Sequence, residues 1–253
     1  MTEVGQIERK APEGSNVFFD RFVLYLDFLG VSDAAISWPD ERAAQLIEVL
    51  KIVAAERAPF DIDGTSQPDG SYKFLVTAET STFSDHIVAS YIFPKDPEIP
   101  AEFLTEMYLS LSQDMVARVA VHALNVGLLI RGGLTIGKLY HAGGVVFGEG
   151  MIDAYRLENR VASYPRVVVS SRIYDKVPPR SQHRVMQDTD GIRHLDYFSA
   201  MTRMLPETER GVWIKRSLAT IEQNVGLFEK GEKWNEFGKW SWFGRNFKQL
   251  VNP

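Results

Sequence analysis

Phe22-Val23-Leu24-Tyr25-Leu26-Asp27-Phe28-Leu29-Gly30 is an apolar run that ends in a carboxylate and a glycine. Residues 17–29 are rich in Val, Phe, Leu and Tyr, which favour a pleated, buried strand. An aspartate at the end of such a strand is costly unless it is paired or bound to a metal ion. Asp85 stands in a similar setting, Thr82-Phe83-Ser84-Asp85-His86-Ile87. Two such carboxylates point to a hard-cation site built from oxygen ligands, of the type that handles phosphates. Both aspartates are expected to lack protein partners, so that removing either leaves the fold largely intact.

Outward from this strand, helical and strand patterns alternate. A helix is predicted to begin near Pro39-Asp40-Glu41, because proline suits a first helical turn and acids suit its positive end. Ala43, Leu46, Ile47, Leu50 and Val53 follow at helical spacing. Residues 61–70 read as a turn-rich loop, and 72–76 with 87–93 as a hairpin that has Asp85 near its turn. Residues 101–126 form a second amphipathic helix, with Leu104, Met107, Leu111 and Met115 on one face. A strand over 128–139 is interrupted by Gly132, Gly133 and Gly137, which signal a bulge or the close approach of another backbone or a ligand. A short strand at 145–147, a helix at 150–163, a strand at 167–170 and a helix at 207–229 complete the reading. The order β-α-ββ-α-ββ-α-β predicts an α+β fold with a ferredoxin-like kernel and a C-terminal helical appendage. One domain is expected over 16–253, its tail starting near 207, behind a flexible N-terminal arm at 1–15.

Composition excludes several functions. With 45% apolar and 24% charged residues, the chain is ordinary for a soluble globular protein. A net charge of −5 gives no general attraction to nucleic acid or anionic lipid. Cysteine is absent, so there are no disulfides, no thiolate catalysis and no cysteine-bound zinc. The longest apolar stretch, 116–130, contains Arg118, His122 and Asn125 and is too short and polar to span a bilayer. A cytoplasmic protein with no membrane insertion and no nucleic-acid partner is expected. The five histidines have no zinc-ligand spacing, and alternation turns His86 away from Asp85, leaving it no catalytic role. Trp234, Phe237, Trp240, Trp242, Phe243 and Phe247 are expected to dock on their own domain or on a partner subunit.

Two further stretches carry a resemblance. One is Phe147-Gly148-Glu149-Gly150-Met151-Ile152-Asp153-Ala154-Tyr155-Arg156-Leu157-Glu158, and the other Arg131-x-Gly133-Leu134-x-x-Gly137. With Asp27 and Asp85 before them in order, they resemble the catalytic domain of class III nucleotide cyclases over roughly residues 20–170. The resemblance implies that Asp27 and Asp85 bind two Mg²⁺ or Mn²⁺ ions. It implies that the Phe28-Leu29-Gly30 turn wraps the phosphates of a nucleoside triphosphate, and that Arg156 stabilises the transition state. It also implies a homodimer with composite active sites, since each element occurs once. Read as a bare helix, Arg156 would pair with Asp153 or Glu149, and Glu158 would support the helix. Tyr155 is either a base contact or a core tyrosine.

The departures bear on substrate. Ile152 stands where the family has a ribose-contacting asparagine, and Ser81 and Val145 stand where adenylate cyclases have their adenine-reading pair. The wording Phe-Ser-Asp, Arg-Gly-Gly, Ala-Tyr-Arg-Leu-Glu and Tyr164-Pro165-Arg166 is most similar to the pyrimidine cyclases of the Pycsar anti-phage system. That implies formation of cyclic UMP or cyclic CMP, with UTP favoured over CTP. The alternatives are a purine cyclase of the same class and a catalytically inactive module that senses nucleotides or binds partners.

Overall fold

A computed structural model describes residues 17–31, 38–55, 78–93 and 100–251 of the chain. The expected arm at 1–15, the loop at 61–70 and the strand at 72–76 lie outside the described residues. The first elements are β1 (Phe19–Leu29), α1 (Asp40–Ala55), β2 (Ala78–Phe83), β3 (His86–Ile92), α2 (Ala101–Asn125) and β4 (Leu129–Ala142). Their strands lie in the order β2-β3-β1-β4, with every neighbouring pair antiparallel. This is the split β-α-β arrangement of a ferredoxin-like kernel, as the element order predicts. The chain continues through β5 (Val145–Phe147), α3 (Glu149–Val161) and β6 (Val167–Val169), which runs parallel to β4. Strands β7 (Val185–Gln187) and β8 (Arg193–Leu195) extend the sheet beyond β6.

The hairpin differs from its expected form. Its first arm is β2, whose Glu79-Thr80-Ser81-Thr82 sequence has no large apolar side chain to mark it. It is an edge strand, half-buried along most of its length, so polar β-branched residues suffice. β4 runs on to Ala142 because Tyr140, His141 and Ala142 pair with β5.

Alternation along β1 sets the two faces of the sheet. Phe22, Leu24, Leu26 and Phe28 join the main core with Leu46 and Val49 of α1 and with Leu109, Val116 and Ala120 of α2. Val23 and Tyr25 face the other way, into a small cluster with Val88, Leu139 and Ala154 of α3. The glycines of β4 let α3 lie against the strand. A Cβ on Gly133 would come within 2.1 Å of the Ala154 carbonyl oxygen, and one on Gly137 within 2.7 Å of the Gly150 Cα. The expected close approach is therefore by backbone.

The C-terminal helices α4 (Glu207–Lys230) and α5 (Trp234–Val251) bury Trp213, Ile221, Trp240, Trp242, Phe243 and Phe247 in the main core. Burying an aromatic side chain of this size contributes about 2–3 kcal/mol. Trp242 Nε1 donates to Asp188 Oδ2 at 2.6 Å, and its ring stacks on Tyr164 with centroids 5.9 Å apart. The same carboxylate oxygen accepts from Arg166 Nη1 at 3.0 Å, so α5 is tied to the chain just after α3. The aromatic tail thus docks on its own chain from Trp240 onward, whereas Trp234 at its start is 62% exposed. Among the described residues no helix is long and apolar enough to cross a membrane.

Candidate metal and nucleotide site

The register places Asp27 opposite His86 on β3 and opposite Arg131 on β4. All three side chains stand on the sheet face that carries α3. The Ser84-Asp85 turn is pinned to the end of β1 by Phe28 N–H, which donates to the Asp85 carbonyl at 3.2 Å. Ser84 adopts a left-handed φ of 54°, and its hydroxyl donates to Asp85 Oδ1 at 2.9 Å. Together these constraints bring ligand atoms of Asp27, Asp85 and His86 within 4.8 Å of one another.

His86 lies inside this cluster, contrary to the expectation from alternation. Its Nε2 is 3.5 Å from Asp27 Oδ1, and its Nδ1 is 3.2 Å from Asp85 Oδ1. Alternation holds only within a continuous strand, and Asp85 sits in the turn before β3 begins. The cross-strand pairing with Asp27 was the signal that could have found it.

Asp27 is not free of protein partners either. Arg131 Nε donates to Asp27 Oδ2 at 3.1 Å and lies 2.6 Å from Glu158 Oε1. That nitrogen has one hydrogen, and it goes to Asp27. The buried Glu158 Oε1 is left without a hydrogen bond of its own. A proton on Glu158 relieves the conflict. Burial, opposed by Arg131 and reinforced by Asp27, pushes its pKa up to about 7. Burial raises the pKa of Asp27 as well, with Arg131 as the main opposing influence. Arg131 and Glu158 therefore hold one oxygen of Asp27 in place and leave Oδ1 turned toward His86.

A folded-state pKa of about 7 for Glu158, above the ordinary 4.5, means that the folded chain binds more protons than the unfolded chain between those values. Stability then falls as pH rises through that window. Without divalent ions, Glu158→Gln should unfold about 3 °C or more above wild type at pH 8, and lose that advantage near pH 4.5. A difference in midpoint that does not vary with pH would contradict the placement of this carboxyl.

The donor set suits a divalent ion. Asp27 Oδ1 and the Asp85 carboxylate supply hard oxygen donors, and His86 adds an imidazole nitrogen better suited to Mn²⁺ than to Mg²⁺.

The other expected residues are distributed around the cluster. Phe28 is buried in the core, so only its backbone can face a ligand. Gly30 has a left-handed φ of 93°, and with Leu29 it lines a cavity of about 450 Å³. Tyr155 packs edge-on against Tyr25 at 5.7 Å, and Tyr25 in turn contacts the His86 ring at 5.4 Å. Arg156 is not brought to the cluster. Its side chain is 57% exposed, with Nη1 3.5 Å from Asp153 Oδ1, the intrahelical pairing that the bare helix predicts. It borders two surface cavities, one with Phe18, Lys138 and Phe147 and one with Thr135 and Arg172. Among the described residues neither lining contains Asp27, Asp85 or His86.

The departures are placed as follows. Ile152 and Val145 are exposed. Ser81 Oγ is 2.9 Å from Nε2 of the buried His141, whose Nδ1 is 2.8 Å from Ser90 Oγ. Arg21 Nη1 donates to that same Ser90 hydroxyl at 2.9 Å. Burial, with the Arg21 charge adding to it, pushes the His141 pKa down to about 4.

No family model matches this chain, and no curated protein matches it. Two solved structures, both described as a bacterial light-regulated adenylyl cyclase, are similar to it at 12% identity. One alignment covers 78% of this chain and 57% of the other, with a TM-score of 0.45. The second covers 79% and 58%, with a TM-score of 0.43. The chain thus spans less than two thirds of the length of those proteins.

Proposed function

We propose that this chain is a nucleotide cyclase of the class III type that acts as a two-fold homodimer. Its substrate is a pyrimidine nucleoside triphosphate, and its products are the 3′,5′-cyclic monophosphate and pyrophosphate. The observation that carries the reading is the cluster of Asp27, Asp85 and His86 at the joined ends of β1 and β3. Two carboxylates held beside one another, one buried and one half-buried, with only Arg131 as a charged partner besides His86, are expensive, and an ion-dependent reaction gives them a use.

Cyclisation needs a 3′-oxygen to attack the α-phosphorus while pyrophosphate departs on the opposite side. Divalent ions held here, two per site on the resemblance, would lower the pKa of the attacking hydroxyl and neutralise phosphate charge. Asp27 Oδ1 and Asp85 would hold them, with His86 as a further ligand. Arg131 and Glu158 position Asp27 without touching substrate. The Phe28-Leu29-Gly30 turn offers backbone groups to the phosphates. Arg156 of the second chain supplies a guanidinium to the charge that develops on the α-phosphoryl oxygens. A single chain leaves Arg156 in solvent, away from the cluster, which supports assembly across a two-fold axis.

The pyrimidine assignment rests on the resemblance of Phe83-Ser84-Asp85, Arg131-Gly132-Gly133, Ala154-Tyr155-Arg156-Leu157-Glu158 and Tyr164-Pro165-Arg166 to pyrimidine cyclases, and Ser81 and Val145 count against ATP. Ser81 is engaged with His141 and carries no charge to read a purine, and Val145 offers no hydrogen bond. UTP is favoured over CTP, with Tyr155 as the candidate base contact, and the product serves as an anti-phage second messenger. Incubation with each of the four triphosphates and Mn²⁺, followed by mass identification, tests the substrate. Cyclic UMP and pyrophosphate are the expected products. Preference for ATP or GTP would replace the pyrimidine reading with the purine one. No product from any of the four would favour the inactive, nucleotide-sensing module.

A further inference from the structure

The cavity behind the Leu29–Gly30 turn has a second wall that belongs to the C-terminal helices. Leu29, Gly30, Trp38 and Arg42 line one side, and Lys233, Lys239 and Trp240 line the other. Its volume of about 450 Å³ falls within the range of roughly 300–1,000 Å³ typical of small-molecule sites. Arg42, Lys233 and Lys239 face one acid of the lining, Glu236, so the cavity is locally positive in a chain of net charge −5.

The cations are not equivalent. Arg42 is already engaged, with Nη2 donating to the Val126 carbonyl at 3.1 Å and its guanidinium 4.2 Å above the Trp38 ring. Lys233 is exposed. Lys239 is half-buried, next to the anchored Trp240, and its ammonium makes no hydrogen bond or salt bridge among the described residues. Burial lowers its pKa, Glu236 opposes that most strongly, and the charges of Arg131 and Asp27 also reach it. An ammonium drawn partly out of water, beside an open cavity and with no hydrogen-bonded or salt-bridged counter-ion among the described residues, favours an anionic ligand.

We propose that Lys239 of the C-terminal helix binds the β- and γ-phosphates of the substrate and then the departing pyrophosphate. This rests on reading the Asp27–Asp85–His86 cluster as the site of the α-phosphate. Among the described residues the cavity lining does not include Asp27, Asp85 or His86, but it starts at Leu29 and Gly30, just beyond Asp27 in the chain. The charge of Asp27 reaches Lys239, so a polyphosphate following that turn from the cluster would enter the cavity. The appendage thereby becomes part of the substrate site, and anchoring of α5 by Trp240 and Trp242 fixes the position of the cation.

The test is direct binding of inorganic tripolyphosphate, with Mg²⁺ present, to the full chain. Lys239→Met keeps the aliphatic stem and the packing beside Trp240 while removing the charge. It should weaken tripolyphosphate binding about 10-fold or more, the scale of one charge-assisted hydrogen bond. Inhibition by pyrophosphate should weaken in parallel, with Mn²⁺ affinity and the unfolding midpoint unchanged. Lys239→Arg should restore binding to within about 3-fold of wild type. Unchanged binding in Lys239→Met overturns this inference alone. Absence of tripolyphosphate binding by the wild-type protein overturns the reading of the site and this inference with it.

Discussion

Asp85→Ala should lower product formation by about 10³-fold or more while shifting stability by less than about 1 kcal/mol. The asymmetry follows from where Asp85 sits. It stands in a turn rather than in the sheet, and its partners are the Ser84 hydroxyl at 2.9 Å and His86 at 3.2 Å. Neither is a buried charge that its loss would strand. What the variant lacks is one of the two oxygen donors of the cluster, so Mn²⁺ binding should weaken together with turnover. Normal turnover with intact folding would remove Asp85 from the site. Asp27→Ala is expected to be inactive too, but it is no longer the neutral deletion that the sequence suggested. It removes one of the two acids that balance Arg131. The reciprocal change, Arg131→Met, leaves Asp27 and Glu158 buried together without a cation, and should cost about 3–5 kcal/mol at neutral pH.

The parts of this architecture visible in the sequence are those with long, regular periodicity. β1 showed itself through an unbroken apolar run, and α2 through heptad-like spacing across 25 residues. β1 is buried along its apolar run, whereas on α2 Leu104 and Met115 are buried, Met107 and Leu111 only partly so, and the buried face also takes in Tyr108, Leu109 and Ser112. β2 was missed because an edge strand of Thr and Ser has no apolar alternation to read. β7 and β8 were missed because three residues are too few for any period. At the site, Asp27 was visible because a carboxylate at the end of an apolar strand is anomalous on its own, whereas Asp85 stands in a turn after an edge strand of Thr and Ser. The contacts that position them were not. Arg131 meets Asp27 across 104 residues of sequence, and only the β1–β4 register reveals the pair. Glu158 read as an ordinary helical acid, whereas it is the buried end of α3 that completes this ion cluster. His86 was excluded by alternation carried one residue past the end of a strand.

The same geometry separates Arg156 from the carboxylates, and this makes assembly the sharpest point of the account. Asp27 and Asp85 lie at one end of the β1–β3 pair, while Arg156 projects into solvent from α3, next to Asp153. If one site uses all three, they come from opposite chains of a two-fold dimer. Asp85→Ala and Arg156→Ala should each be inactive as homodimers. The measurement is the activity of the two variants mixed under conditions where subunits exchange. A mixed dimer has one site with both lesions and one with neither. With random pairing at equal amounts about half the dimers are mixed, so roughly a quarter of wild-type activity should return. Recovery near that level is the predicted result. No recovery, with exchange demonstrated independently, would place Arg156 and the aspartates in the same chain and contradict the composite site.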